Sequence, residues 1–303
     1  MNLDLICSTP VFKNERQALK NGLGSHAYIV EGAQGTGKKS FALASSCVHF
    51  CLNDEKPCFS CAGCRKVLEG IHPDVHIITP EKSMLRVDQV REVLSTVYET
   101  PYEGKSKIYI FEKFHLANDQ AQKALLKTLE EPPKAVSFFL LAENSLALLP
   151  TVRSRCKKIR LTPFKEEEIL AQLEKLFPSN ERNAYAAKHS LGNMGNAVRL
   201  VEDEEFIRLN DLAEEVVSSL DNNPSHARLG VIFEKEKDGL VPFLEILEGK
   251  LFEIFRENRG ERDLIRIKAV QDAIKSKKKN LNTGLICDSL AYTLAKGGNK
   301  WQR

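Results

Sequence analysis

The first half of the chain alternates two hydrophobic patterns. Short apolar runs at Tyr28-Ile29-Val30, Val75–Ile78, Ile108–Phe111 and Val136–Ala142 read as buried strands, with Lys158–Leu161 a weaker fifth. Between them, apolar positions recur at helical spacing. Val87, Val90, Val93, Leu94 and Val97 mark one helix face. Ala121, Ala124, Leu125, Thr128 and Leu129 mark another, within Asn118–Glu131, which Pro132-Pro133 closes. Lys38–Phe50 also has helical character. Strands alternating with helices predict a mostly parallel sheet with crossovers.

At Pro163 the pattern changes to helical periods alone. Lys165–Phe177 presents Ile169, Leu170, Leu173, Leu176 and Phe177, and Asn183–Ser190 and Ala197–Val201 read as two shorter helices. Leu240, Leu244, Leu247, Leu251 and Ile254 mark a long amphipathic helix, and Leu264–Ile274 is similar. The expected organisation is an α/β domain over residues 1–162, a small helical domain over 163–204 and an all-helical domain over 205–303.

Composition narrows the class. A chain of 303 residues allows two domains and a third small one. With 42% hydrophobic and 28% charged residues, it is neither disordered, collagenous nor a coiled coil throughout. Lys plus Arg number 44 against 41 Asp plus Glu, so nucleic-acid contact would need a local patch. The longest apolar stretch, Phe138–Ala142, stops at Glu143, far short of a membrane span. Met1–Asp4 lacks the basic and apolar regions of a signal peptide, so a cytoplasmic chain with reduced thiols is expected.

Gly32-Ala33-Gln34-Gly35-Thr36-Gly37-Lys38 follows a strand and opens a helix. This is the spacing of a phosphate loop, whose glycines let backbone N–H groups turn inward while the lysine reaches the terminal phosphates. The hydroxyl that should follow, as a Mg²⁺ ligand, is replaced by Lys39. Ser40 comes one residue late, about 100° around the helix. The anion cradle therefore survives without its metal ligand. The strand Ile108–Phe111 ends in Glu112-Lys113, where a hydrolysing ATPase would carry a metal-binding Asp followed by a catalytic Glu. Glu112 could approach a metal, but a protonated lysine cannot serve as a base for water. ATP binding without hydrolysis is expected to remain open to the loop, and Mg²⁺ is not expected.

Five of the eight cysteines lie close together, and four of them, Cys51, Cys58, Cys61 and Cys64, have the spacing of a metal site. Four thiolates suit a closed, tetrahedral, structural Zn²⁺ site. An iron–sulfur cluster is the chemical rival. Cys47, one helical turn before Cys51, is expected to be buried and unliganded. Other features carry blander readings. His115 reads as a packing or surface residue. Lys275, Lys277, Lys278 and Lys279 read as a solvated helix end that could touch DNA or an acidic partner. Glu166-Glu167-Glu168 suits a helix's first turn. Trp301 lies in a terminal tail and is uninformative.

Four stretches together point to a family. Ser25-His26-Ala27-Tyr28 leads into the phosphate loop. The cysteine module is followed by Gly70-Ile71-His72-Pro73-Asp74. Ala124-Leu125-Leu126-Lys127-Thr128-Leu129-Glu130-Glu131-Pro132-Pro133 and Arg153-Ser154-Arg155-Cys156 complete the set. In these, over residues 1 to about 200, the chain resembles the delta-prime family of bacterial DNA polymerase III clamp-loader subunits, within the AAA+ superfamily.

The resemblance implies an AAA+ P-loop domain with an inserted zinc module, a small helical lid and an all-α collar through which subunits assemble. It implies a five-membered ring with motor (gamma/tau) and delta subunits that opens a sliding clamp and closes it on primed DNA. Within that ring, Arg155 of the Ser154-Arg155-Cys156 signature would act as an arginine finger in a neighbour's ATP site, and the chain itself would be the rigid stator. Asn144 matches the polar residue that ends the fourth strand. The arginine that motor subunits present around Gly192–Ala197 is missing here. Two other readings compete: an active ATP-hydrolysing motor subunit of the same machine, and a stand-alone zinc-dependent nucleic-acid-binding protein.

Overall fold

The computed structural model describes residues 3–81, 84–220 and 225–296, so Trp301 lies outside the described residues. The chain divides into two compact units, one of Met1–Leu176 with Gly192–Gly195, the other of Phe177–Leu191 with Asn196–Arg303.

The first unit opens with α1 (Leu3–Ser8) and α2 (Pro10–Lys20). Thr9 caps α2 by accepting from the Phe12 N–H, and Pro10 supplies the preset first helical position. Then come β1 (Ala27–Glu31), α3 (Lys38–Phe50), α4 (Ala62–Leu68), β2 (Val75–Ile78), α5 (Val87–Thr96) and β3 (Lys107–Phe111). α6 (Asp119–Glu130), β4 (Val136–Ala142), the short α7 (Pro150–Arg153), β5 (Lys157–Arg160) and α8 (Glu166–Leu176) complete it. The five strands form one parallel sheet in the order β2-β3-β4-β1-β5.

β4 is buried along its whole length, which explains its uninterrupted apolar run: both sheet faces are covered. Period-2 geometry splits its residues between two cores. Phe138, Leu140 and Ala142 join Ile29, Tyr109 and Phe111 against α5 and α6. Phe139 faces the other way and stacks on Tyr28, ring centroids 4.9 Å apart. The Tyr28 hydroxyl donates to Glu15 at 2.7 Å, and Glu15, itself buried, pairs with Lys157 at 2.6 Å. The weaker signal of β5 has a physical cause. It is an edge strand, and only Ile159 of its four residues is buried.

The sheet also fixes where chemistry can occur. The phosphate loop follows β1, Glu112 follows β3, and Glu143 and Asn144 follow β4. All lie at the carboxyl ends of parallel strands, the edge at which open α/β sheets bind ligands.

The second unit is helical. α9 (Asn183–His189), α10 (Met194–Glu202, its first two residues in the first unit), α11 (Glu204–Leu220), α12 (His226–Lys235), α13 (Leu240–Asn258), α14 (Glu261–Lys278) and α15 (Thr283–Lys296) follow in order. The last five bury one core, built from Leu209, Val216, Phe233, Phe243, Leu247, Val270 and Leu290 among others. Lys250, buried on α13, is neutralised by Glu214 of α11. The lysines at the end of α14 are largely engaged within the unit: Lys277 donates to Thr283 Oγ1 at 2.7 Å and Lys278 pairs with Glu245 at 3.0 Å. Among the described residues, no helix is long and apolar enough to cross a membrane.

Candidate functional site

The phosphate loop has the backbone its glycines allow. Gly35 and Gly37 hold φ of +76° and +84°, where a side chain would strain the chain. Thr36 turns inward and donates to the Ala33 carbonyl at 2.8 Å. Lys38 folds back over the loop and donates to the carbonyls of Gly32 and Ala33, both at 2.7 Å. Burial draws its ammonium below the usual lysine range, while the nearby Glu143 works the other way.

Around this loop the chain satisfies itself. Lys39 reaches across to Glu112, with Nζ 2.8 Å from Oε1. The other Glu112 oxygen accepts from the Thr79 hydroxyl at 3.1 Å. The two residues singled out for metal chemistry, one by its absence of hydroxyl and one by its carboxylate, thus neutralise each other. Lys113 sits in the left-handed region at φ +48° and caps a turn of 3-10 helix. Asn144 is spent locally, its side chain accepting from the Leu146 N–H at 2.8 Å. Asn193 donates to the Gln34 carbonyl at 2.8 Å, and its amide fills the space where a side chain on Gly35 would go.

The four cysteines converge. The sulfurs of Cys51, Cys58, Cys61 and Cys64 all lie within 4.8 Å of one another. Cys51 ends α3 and is buried, Cys61 caps α4, and Cys64 lies buried in its first turn. The Cys61 N–H points at Cys58 Sγ at 3.4 Å and, with the Ser60 contacts, draws that thiol down to about 6. Burial works to raise the Cys61 thiol, but the N–H groups of Leu52 and Cys64 hold it below its ordinary value, whereas burial pushes the Cys64 thiol up despite the Phe59 N–H. The donor set fits a metal ion: four soft ligands within 4.8 Å of one another, close enough to converge on the roughly 3.8 Å sulfur spacing of a tetrahedral thiolate site. Cys47 lies buried beside the four, its thiol donating to the Cys64 carbonyl at 3.8 Å and pushed up to about 12 by desolvation.

Behind the cluster, Asp74 is fully buried and accepts the N–H groups of Tyr102, Glu103 and Gly104 at 2.6, 2.8 and 2.9 Å. Burial would raise its pKa, but these three donors hold it below the ordinary value. His72, also buried, packs on Phe50 with ring centroids 4.0 Å apart. The His72-Pro73-Asp74 stretch is thus a structural brace between the cysteine segment and the loop before β3.

Arg155 lies between α7 and β5. Nη1 donates to the Thr151 carbonyl at 2.8 Å and to Ser154 Oγ at 3.2 Å, while Nη2 pairs with Glu130 at 2.7 Å. The side chain is 33% exposed. Cys156 turns inward against the α5–α6 core, and burial pushes its thiol up to about 12. One turn of helix and one half-buried thiol therefore flank a guanidinium that is partly exposed. The phosphate loop, the cysteine cluster and Arg155 are three separate constellations within the first unit.

A family profile described as DNA polymerase III, delta subunit, matches residues 8–165. The DNA polymerase III subunit delta-prime of Escherichia coli K12 is 30% identical over 243 residues, 78% of this chain and 73% of that one. The delta-prime subunit of Bacillus subtilis 168 is 31% identical over 222 residues, 73% of this chain and 66% of that one. The chain belongs to the delta-prime family of DNA polymerase III clamp-loader subunits.

DNA polymerase III subunits named gamma and tau also match this delta-prime chain, over 52–73% of its length. A gamma-subunit-related protein from Thermotoga maritima superposes with a TM-score of 0.50 at 18% identity, covering 93% of this chain and 99% of that one. That likeness is one of fold alone. Three contacts at these constellations escape sequence reasoning: Lys39 on Glu112, Asn193 on the loop, and Glu130 on Arg155. Glu130 stood inside a recognised stretch, a signal with no partner attached. For Asn193 the sequence carries no signal beyond its glycine neighbours.

Proposed function

We propose that this delta-prime subunit is the stator of its clamp loader: it does not hydrolyse ATP, and it donates Arg155 in trans to the ATP site of a neighbouring gamma/tau subunit. The observation that carries the reading is the Lys39–Glu112 ion pair, which puts the chain's own cation where a hydrolysing subunit needs Mg²⁺. The anchored, partly exposed Arg155 supports the other half. With Nη1 held by Thr151 and Ser154, the guanidinium is prepared to neutralise charge developing on a γ-phosphate presented by a neighbour. Fingers supplied in trans are worth about 10³–10⁵ in rate in other P-loop enzymes.

The remaining assignments follow from this role. Cys51, Cys58, Cys61 and Cys64 hold a structural Zn²⁺, which supplies folding energy to the α3–α4 segment and no reaction chemistry. Residues 163–204 serve as lid and 205–303 as the collar that joins gamma/tau and delta subunits. The sliding clamp and primed DNA are met within the assembled complex, and the protein works in the cytoplasm. A loop that keeps Lys38 and its glycines leaves ATP binding open, with Gly32, Gly35, Thr36, Gly37 and Lys38 as the cradle.

The test is Arg155→Ala in the complex reconstituted with its cognate subunits. DNA-stimulated ATPase and clamp loading should both fall while the isolated subunit melts as before. An unchanged rate would remove the finger assignment. The gamma and tau similarity favours one rival, an active motor subunit. ATP hydrolysis by the isolated chain, lost in Lys38→Ala, would establish that rival instead.

A further inference from the structure

We propose that Glu130 is the positioning residue for Arg155: it fixes the plane of the guanidinium before a neighbour's phosphate arrives and then releases it. The inference rests on the reading of Arg155 as a finger.

Three observations carry it. The contacts within Arg155's own loop, Thr151 O and Ser154 Oγ, both fall on Nη1. Anchored through one nitrogen, a guanidinium can still swing. The 2.7 Å pair from Glu130 to Nη2 holds a second nitrogen and thereby sets the plane. Secondly, Glu130 is the last residue of α6. The helix dipole places negative partial charge there, so a carboxylate at this end works against the helix. Its placement is accounted for by the cation it faces. Thirdly, the pair is able to open. Glu130 is 49% exposed and Arg155 33%, and partly solvated pairs separate at little cost. A polyphosphate, with more charge than one carboxylate, takes over Nη2 while Nη1 stays rooted. Glu130 thus gives a role to the Ala124–Pro133 stretch, which the phosphate loop and the cysteine cluster leave unused.

The experiment is a double-mutant cycle in the reconstituted clamp loader, comparing wild type, Glu130→Ala, Arg155→Ala and the pair, with Glu130→Gln as the conservative variant. DNA-stimulated kcat and the KM for ATP are read for each. Glu130→Ala should lower kcat about three- to tenfold, the factor expected for freeing one long side chain, and leave KM unchanged. Glu130→Gln, which keeps an acceptor for Nη2, should recover most of the rate. In the Arg155→Ala background Glu130→Ala should have no further effect. If Arg155→Ala depresses the rate and Glu130→Ala does not, positioning fails and the finger stands. If Glu130→Ala costs as much without Arg155 as with it, Glu130 acts elsewhere and the proposal is wrong. A rate increase in Glu130→Ala would make the pair a brake and also overturn it. No effect from Arg155→Ala would remove the finger reading itself.

Discussion

Replacing Lys39 by threonine tests the central electrostatic claim directly. On the proposed reading, a Mg²⁺ ion held by Glu112 would have to displace an ammonium lying 2.8 Å from the carboxylate. Two unit charges at that distance interact by about 1.5 kcal/mol at the dielectric of water and about 6 kcal/mol at an effective dielectric of 20. Lys39 is 52% exposed and Glu112 only 18%, so the pair belongs near the weaker limit. After that discount, about 1–2 kcal/mol is a fair figure for what the ammonium denies the metal. Lys39→Thr removes this competitor and returns a hydroxyl to the position of the metal ligand. Mg²⁺-dependent ATP affinity should rise roughly five- to thirtyfold. Titration of a fluorescent ATP analogue, with Mg²⁺ and with EDTA, reads the change for both proteins. Equal Mg²⁺ dependence in wild type and variant, or no binding by either, would refute the reasoning.

Two further outcomes concern the first unit. Wild-type protein should carry one Zn²⁺ per chain, and Cys58→Ser with Cys61→Ser should lose it and destabilise the unit by several kcal/mol; zinc analysis beside thermal melting checks both. Asp74→Asn should cost about 2–4 kcal/mol, because three backbone N–H groups lose a charged acceptor. The folded-state pKa of Asp74 lies below its unfolded value of 3.8, so its contribution is complete above that pH and fades as pH falls through the folded value. Chemical denaturation from pH 7 to pH 3 should show this loss in wild type and a correspondingly flatter profile in the variant.

Much of the fold was legible because its signals are local. β1, β3 and β4 are apolar runs, since a parallel sheet covered on both faces asks for nothing else; β2, an edge strand that buries only Val75, is legible through Val75, Ile77 and Ile78. β5 was faint because an edge strand buries only Ile159. α2 carried usable signals, Thr9 as cap, Pro10 at the first helical position and an amphipathic period, but the segment is polar on average and buries only Phe12 and Glu15. α4 is only seven residues long, too short for a period to emerge, and it lies inside the cysteine segment. The lysines from Lys275 read as a solvated run, and Lys275, Lys278 and Lys279 are exposed; the partners that Lys277 and Lys278 find on α15 and α13 are ones that periodicity cannot name.

The sequence by itself determined the phosphate loop and the four-cysteine cluster, because glycine conformations and ligand spacings within one short segment need no distant partner. It also marked Arg155 between Ser154 and Cys156. What each residue touches was decided by the tertiary structure. Lys39 meets Glu112 only because the order β2-β3-β4-β1-β5 brings the ends of β1 and β3 to one edge of the sheet. Asn193 reaches the phosphate loop from far along the chain, and Glu130 meets Arg155 across the turn from α6 through β4 and α7. Hydrophobic periodicity records which face of an element is buried, not which charged end lies beside which. That Lys38 folds back on its own loop while Lys39 reaches across to Glu112 is therefore a property of the folded sheet.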